Sequence, residues 1–270
     1  MLLRESFIGK NFAVLEEIAA FSSHTSGVIG FVDRKNDPHN QDNNKRTIAN
    51  AAAIVQNGDV RGIYHKSFLP NYSVFDEARY FSKGTEPNTL FWYDDIAIGI
   101  NICEDIWIED GPAEEQVKQG ASLIININAS PYDIHKSETR KEIVMKKALK
   151  LNVPIIYLNM VGGQDELVFD GGSFVVNDLG EIIYQASSFK EEVFHLDIDL
   201  KTNKQNDKSP LIIRPKTIEL KDVESKASLS KNESIYSALK LGLKDYVRKN
   251  KFTKVLICLL YTSPSPRDHE

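Results

Sequence analysis

Cysteine is scarce in this chain. Of its 270 residues only Cys103 and Cys258 are cysteines. Two thiols cannot build the disulfide framework of a small secreted domain, so a reducing compartment and a cytoplasmic location are expected. Stability must then come from packing, and a hydrophobic content of 41% is enough for one sizeable core.

Long apolar runs are also lacking. None approaches the roughly 18 residues that span a bilayer, and the opening MLLRESFIGKNF has no apolar core of a signal peptide. The net charge is -5, from 38 acidic and 33 basic residues, and no arginine-rich stripe is present. The composition therefore predicts neither a membrane nor a nucleic-acid partner.

Strand-like and helix-like segments alternate along the chain, which predicts a layered α/β fold. The opening RESFIGKNFAVLEEIAAF has apolar residues at helical spacing, and Asn57-Gly58 suits the tight turn of a hairpin over 50–66. The remaining predicted elements are strands at 27–33, 96–103, 122–130 and 153–160, helices at 112–120 and 137–151, and a hairpin at 173–185.

Four regions follow from the pattern. Residues 1–200 are predicted to form one domain, and the polar, lysine-rich segment 201–231 to form a linker. Residues 232–257 are predicted to begin an α/β domain, because a helical period over 232–250 is followed by the strand-like KVLICLL, which starts at Lys254. The tail 258–270 has no apolar period; it resembles translated adapter sequence and is left out of the fold prediction.

The most informative cysteine is Cys103, which stands in NICEDIW directly after the apolar run IAIGI. A lone cysteine is often a small core residue. However, Cys103 comes at the carboxyl end of a predicted strand, where open α/β sheets place ligand-binding groups. Charged Glu104 and Asp105 follow it, which indicates a cleft. A nucleophilic thiol also needs a base and donors for an oxyanion.

A second candidate is Lys66, which ends a predicted strand. A lysine there is usually solvated. The loop that follows is unusually aromatic, with Tyr72, Phe75, Tyr80 and Phe81 within ten residues. These rings would be costly to expose, so we expect them to cover either a small-substrate pocket or the core.

Four segments carry a family resemblance: YHKSFLPNYSVFDEARYF, GINICEDIW, NINASPYDIHK and YLNMVGGQDELVFDGGSF. Together they resemble the glutaminase domain of the glutamine-dependent NAD synthetases, in the nitrilase (carbon-nitrogen hydrolase) superfamily. The resemblance runs from near residue 1 to about 257. It implies an α-β-β-α sandwich, followed by the first helix and strand of an α/β synthetase domain.

The resemblance also implies a reaction and its residues. A thiolate attacks the side-chain amide of glutamine, ammonia leaves, and water hydrolyses the thioester. Cys103 matches the nucleophile and Lys66 the catalytic lysine, which would hold the oxyanion with the backbone N–H of Glu104. Glu77 lies where the superfamily often has a supporting glutamate, although an ordinary surface charge is equally compatible with its position.

Tyr72, Ser130 and Lys136 match positions that bind the substrate glutamine in the family. The resemblance implies no metal or cofactor in this domain. In the whole enzyme, ATP and Mg would serve a separate synthetase domain that amidates deamido-NAD to NAD, and a homo-oligomer is expected.

The general base is the main departure from the family. There it is a glutamate on a strand before the first helix, in a stretch resembling FPELALTGYP, and nothing similar precedes Arg4. Glu5, Glu16 and Glu17 belong to the predicted helix. The sequence therefore predicts a chain truncated at its N-terminus, lacking the first strand and the base, with little or no activity of its own.

Two alternatives stay open from the sequence. One is a stand-alone nitrilase-like amidase, against which the helix-forming segment NESIYSALKLGLKDYVRKN counts. The other is a non-catalytic binding or assembly module. The family's Ser-Gly-Gly-x-Asp-Ser loop, expected after FTKVLI, is absent, so genomic sequence on both sides of the reading frame would discriminate the three hypotheses.

Overall fold

A computed structural model describes residues 4–35, 47–85, 90–198 and 227–256, together with Leu2 and Leu200. The predicted tail 258–270 and most of the predicted linker, 201–226, lie outside the described residues. The helices are α1 Glu5–Ala20, α2 Pro112–Lys118, α3 Lys136–Leu151 and α4 Lys231–Lys249. The strands are β1 Ser26–Lys35, β2 Thr47–Gln56, β3 Asp59–His65, β4 Leu90–Tyr93, β5 Ile96–Ile102, β6 Leu123–Asn128, β7 Ile155–Asn159, β8 Val161–Gln164, β9 Leu167–Asp170, β10 Phe174–Val176 and β11 Ile182–Gln185.

The strands form two main sheets and a separate hairpin. The first sheet has the order β1-β2-β3 and is antiparallel. The second has the order β11-β10-β7-β6-β5-β4, with β5, β6 and β7 parallel to one another. Strands β8 and β9 pair as a hairpin. The three parallel strands therefore end at one edge of the second sheet.

Three apolar clusters define the layers. Residues of α1 pack on the outer face of the first sheet, with Leu15 against Phe31 and Ala53. Between the sheets lies a second cluster that includes Tyr64 and Ile100. A third cluster joins α3 to the outer face of the second sheet. This order of layers is the predicted α-β-β-α sandwich, which is thereby confirmed.

Strand β2 contributes side chains to two apolar clusters, one on each of its faces. Ala51, Ala53 and Val55 belong to the cluster under α1, whereas Ala52 and Ile54 belong to the cluster between the sheets. Successive side chains of a strand point to opposite faces, and small residues let both layers approach closely. The continuous apolar run 51–55 is thus buried on both faces of the strand.

Local chemistry fixes several element ends. The predicted hairpin turn is confirmed, because Asn57 and Gly58 both have positive φ, of 53° and 85°. Helix α4 begins with a capping box, in which the Ser230 N–H donates to the Glu233 carboxylate at 3.0 Å. The predicted final strand is not seen in its described part: 254–256 form no strand, and 257–260 lie outside the described residues.

Helix α4 packs on the hairpin of β8 and β9. The Gly163 N–H donates to Asp245 Oδ2 at 2.8 Å, and Ser234 Oγ donates to the Tyr132 hydroxyl at 2.9 Å. A Cβ added at Gly163 would lie 3.0 Å from the Gly242 Cα. The contact therefore depends on two facing glycines. None of the helices within the described ranges is both long and apolar enough to cross a membrane.

We expect Ile124→Ala to destabilise the chain by about 2–5 kcal/mol, because a fully buried isoleucine leaves a cavity when it is truncated. Ile124 lies in β6, is 0% exposed and belongs to the cluster that joins α3 to the second sheet. Leu179→Ala is the matched control, since Leu179 is 62% exposed. Urea unfolding measures both variants. Equal changes in the free energy of unfolding would contradict the assignment of this core.

Candidate active site

A cavity of about 480 Å³ opens at the carboxyl ends of the parallel strands, beside the first sheet. Its walls combine apolar side chains with a thiol, an ammonium group, a carboxylate and three amides. The lining residues are Val28, Gly30, Asn50, Lys66, Phe75, Glu77, Ile102, Cys103, Ile127, Asn128, Ala129, Leu158, Asn159 and Met160. Its size and mixed lining suit a small polar molecule.

Cys103 stands at the turn from a strand to a helix. It follows β5 directly and begins a short 3-10 helix, Cys103–Trp107. Its φ is +46°, in the left-handed region that non-glycine residues seldom adopt. Backbone strain of this kind clusters at functional sites. The predicted cleft position of Cys103 agrees with the cavity wall on which it lies.

The thiol is largely protonated at neutral pH. Burial raises the pKa of Cys103 to about 11, the Lys66 ammonium lowers it, and the carboxylates of Glu77 and Glu104 raise it. Because the thiolate is the nucleophile, reaction at this site requires a base or a rearrangement on ligand binding.

Lys66 is buried, in contrast to the usual solvated lysine at a strand end. It is 1% exposed, and its Nζ donates to both carboxylate oxygens of Glu77, at 2.7 and 2.9 Å. Asn50 Nδ2 also donates to Glu77, at 3.4 Å. A buried ammonium group needs such a partner. Glu77 is therefore not an ordinary surface charge.

Tyr72, Glu104 and Lys136 lie next to the cavity without lining it. The Tyr72 hydroxyl lies 2.9 Å from each carboxylate oxygen of Glu104, to which it donates. Lys136 Nζ lies 5.4 Å from the centroid of the Phe75 ring, which lines the cavity. Both contacts join the aromatic loop to the elements that carry the site.

The aromatic loop is more open than the sequence predicts. Phe75 faces the cavity and Phe81 is half-buried, bridging to Ile48. Tyr72 is 54% and Tyr80 42% exposed. The two tyrosines are thus more exposed than the sequence predicts, and their hydroxyls tolerate water.

Ser130 is buried behind the cavity wall. It is 2% exposed, its Oγ accepts from Arg140 Nε at 3.2 Å, and its N–H donates to Asn159 Oδ1 at 2.9 Å. Its neighbours Ala129 and Asn159 line the cavity. Ser130 thus lies next to the cavity, with its side chain bound to Arg140.

An ion pair that the sequence did not predict supports this wall. Arg140 donates through Nη1 to both oxygens of Asp170, at 2.8 and 2.9 Å, and through Nη2 to the carbonyls of Ser130 and Pro131. Arg140 is 3% exposed. The sequence held one signal for the burial of Arg140: it stands four residues before buried Val144, on the same helix face.

Asp105 is a second buried group that sequence reasoning missed. It is 0% exposed, and its carboxylate accepts four hydrogen bonds: one from Ile102, directly before Cys103, and three from Tyr64, Ser67 and Phe68, on either side of Lys66. Nothing in the sequence indicates that Asp105 is more buried than neighbouring Glu104. Within the ranges that the structure describes, no group of three or more His, Cys, Asp or Glu residues could hold a metal ion.

Comparison with protein families settles the relationship. The carbon-nitrogen hydrolase family matches residues 14–206, which is more than half of the chain. The chain belongs to this family. The cavity with Cys103, Lys66 and Glu77 thus lies within the carbon-nitrogen hydrolase domain.

Curated relatives refine the comparison. The chain is 38% identical to a glutamine-dependent NAD(+) synthetase of Thermotoga maritima, over 96% of this chain and 46% of that protein. It is 41% identical to one of Aquifex aeolicus, over 78% of this chain and 40% of that protein. The chain therefore spans less than half the length of these relatives.

Solved structures support the same fold. A glutamine-dependent NAD+ synthetase from Acinetobacter baumannii, solved with adenosine diphosphate, superposes with a TM-score of 0.76 at 34% identity, covering 94% of this chain and 43% of that one. A carbon-nitrogen hydrolase from Helicobacter pylori superposes with a TM-score of 0.60 at 22% identity, covering 69% of this chain and 66% of that one. The second likeness shows the fold alone.

We expect Lys66→Met to slow alkylation of Cys103 by iodoacetamide about three- to tenfold at pH 8. Lys66 lowers the pKa of the thiol, so its loss raises that pKa and leaves less thiolate. Mass spectrometry of the Cys103 peptide gives the rate separately from that of Cys258. Lys118→Met, at an exposed lysine of α2, is the control and should alter the rate less than twofold. Equal rates in the two variants would contradict the electrostatic role.

Proposed function

We propose that this carbon-nitrogen hydrolase domain hydrolyses the side-chain amide of glutamine and supplies the ammonia to a synthetase domain. There, deamido-NAD would be amidated to NAD with ATP. The main support is a single juxtaposition: Cys103 and the Lys66–Glu77 pair line one cavity in a chain that is 38% identical to a glutamine-dependent NAD(+) synthetase.

The covalent step begins when the Cys103 thiolate attacks the amide carbon of glutamine. A carbon-sulfur bond forms, and the negative charge that develops on the amide oxygen is held by the Lys66 ammonium group and the backbone N–H of Glu104. The carbon-nitrogen bond then breaks, and the nitrogen takes the proton that the Cys103 thiol gave to the base and leaves as ammonia. Water hydrolyses the thioester, which gives glutamate and restores the thiol.

The amino-acid end of glutamine carries both an ammonium and a carboxylate group, so it needs polar and charged anchors. Lys136 and Tyr72 lie next to the cavity and offer a cation and a hydroxyl. Ser130 lies behind its wall, within the network of Arg140. We propose that Tyr72, Lys136 and Ser130 hold this end, with Ser130 acting after a small shift of its hydroxyl.

We propose that turnover by this chain is slow because the two described carboxylates beside Cys103, Glu77 and Glu104, are not free to act as the general base. Glu77 accepts from Lys66 with both oxygens, and Glu104 accepts from Tyr72 with both oxygens. These carboxylates beside Cys103 are thus already engaged. We expect the 270-residue chain to release ammonia from glutamine about 100- to 10,000-fold more slowly than a full-length relative does. A coupled ammonia assay on both proteins measures the ratio, and comparable rates would show that one of these carboxylates serves as the base.

Substrate choice can be tested by covalent labelling. We expect a glutamine analogue with a diazoketone in place of the amide to label Cys103, and its asparagine-length counterpart to label at least tenfold more slowly, because it is one methylene shorter. Cys103→Ala should remove the label, as peptide mass spectrometry would show. Preferential labelling by an analogue of a short aliphatic amide would instead favour the stand-alone amidase.

The two-domain function can be tested in a longer protein that carries this domain. We expect Cys103→Ala to abolish glutamine-dependent NAD formation and to leave ammonia-dependent formation unchanged within about twofold, because only the first reaction uses the thiol. NAD is measured with each nitrogen source in turn. Loss of both activities in a folded variant would contradict a model with separate sites.

A further inference from the structure

We propose that Asp105 is a positioning residue that holds the Lys66 ammonium beside the Cys103 thiol, a role whose catalytic meaning rests on the function proposed above. Asp105 is fully buried and lies two residues after Cys103 in the 3-10 helix that follows β5. Lys66 comes from the other sheet, directly after β3. The two functional groups are therefore carried by segments that the strand ladders do not join.

The Asp105 carboxylate connects these segments through four hydrogen bonds. On the Lys66 side, Oδ1 accepts from the backbone N–H of Ser67 at 3.2 Å and of Phe68 at 2.9 Å, and Oδ2 accepts from the Tyr64 hydroxyl at 2.8 Å. On its own side, Oδ2 accepts from the Ile102 N–H at 3.1 Å. The donors thus stand before and after Lys66 in sequence, and directly before Cys103.

Burial of the Tyr64 hydroxyl makes its hydrogen bond to Asp105 costly to lose. Tyr64 is 0% exposed, so its hydroxyl needs an acceptor inside the protein, and the half-buried Ser67 and Phe68 are held where the carboxylate accepts from their backbone N–H groups. The Lys66 backbone is fixed further by its N–H, which donates to the Asn50 carbonyl at 2.8 Å. The Lys66 side chain is then directed into the cavity, where Glu77 binds it.

The charge of Asp105 also suits it to accept four hydrogen bonds. Burial raises its pKa to about 6, although its hydrogen bonds and the Lys66 ammonium lower it. At pH 8 the group is therefore ionised and offers acceptors only, as four donors require. An amide in its place would direct its NH₂ group at two of these donors.

Alkylation of Cys103 by iodoacetamide at pH 8, on the full 270-residue chain, separates positioning from plain stabilisation. We expect Asp105→Asn to slow the reaction about three- to tenfold, as Lys66→Met does, because the ammonium no longer lies at the thiol. The matched control is Glu114→Gln, which alters another buried carboxylate that accepts from Lys147 outside the cavity. It should lower the unfolding midpoint while leaving the alkylation rate within twofold of wild type.

The double variant Asp105→Asn/Lys66→Met decides the mechanism. If Asp105 acts through Lys66, Asp105→Asn slows alkylation less than twofold in the Lys66→Met background. An equal slowing in both backgrounds overturns the proposal, as does a folded Asp105→Asn variant that reacts at the wild-type rate.

Should Asp105→Asn fail to fold, Tyr64→Phe removes one of the four hydrogen bonds without changing the shape of the core. It should slow alkylation about twofold in the wild-type background and have no effect beside Lys66→Met. A wild-type rate would overturn the proposal. Because alkylation needs no glutamine, a Lys66-dependent effect in a chain that the diazoketone analogue of glutamine fails to label at Cys103 would reject the proposed substrate and leave the positioning role intact.

Discussion

A buried ammonium group is the constraint on which the site depends. Lys66 is 1% exposed, and a charge so far from water is tolerated only with an ionic partner and further polar contacts. Glu77 supplies the partner from a loop eleven residues along the chain. The aromatic loop must therefore fold back on the strand end, and this requirement brings Phe75 to the cavity and Lys136 to Phe75.

The second organising element is the parallel part of the larger sheet. Because β5, β6 and β7 run in the same direction, their carboxyl ends bring Cys103, Asn128 and Asn159 to one edge. Behind this edge the charges of Arg140 and Asp170 are paired and buried. One wall is thus built from strand ends and a fixed ion pair, and the other from a loop held by Lys66.

The sequence predicts the elements whose signal is local. The hairpin at Asn57-Gly58 follows from turn chemistry, and α1 and β5 follow from periodicity. The hairpin of β8 and β9 was missed, because Val161–Gln164 contains two glycines and shows no alternation. The partners of Lys66, Ser130 and Asp105 were also missed, since each contact joins residues that only the tertiary fold brings together. The pattern drew attention to Cys103 and Lys66, and the family resemblance supplied the roles proposed for them.

The packing of α4 on the hairpin has a consequence for how this sequence can change. A Cβ at Gly163 would lie 3.0 Å from the Gly242 Cα, and a Cβ at Gly242 would lie 3.2 Å from Val168, so in each case the neighbour would have to move by a few tenths of an ångström. A larger residue at either position must push the helix from the hairpin or be offset by a change at the facing position. We therefore expect the sizes of the residues at positions 163, 168 and 242 to change together among related chains.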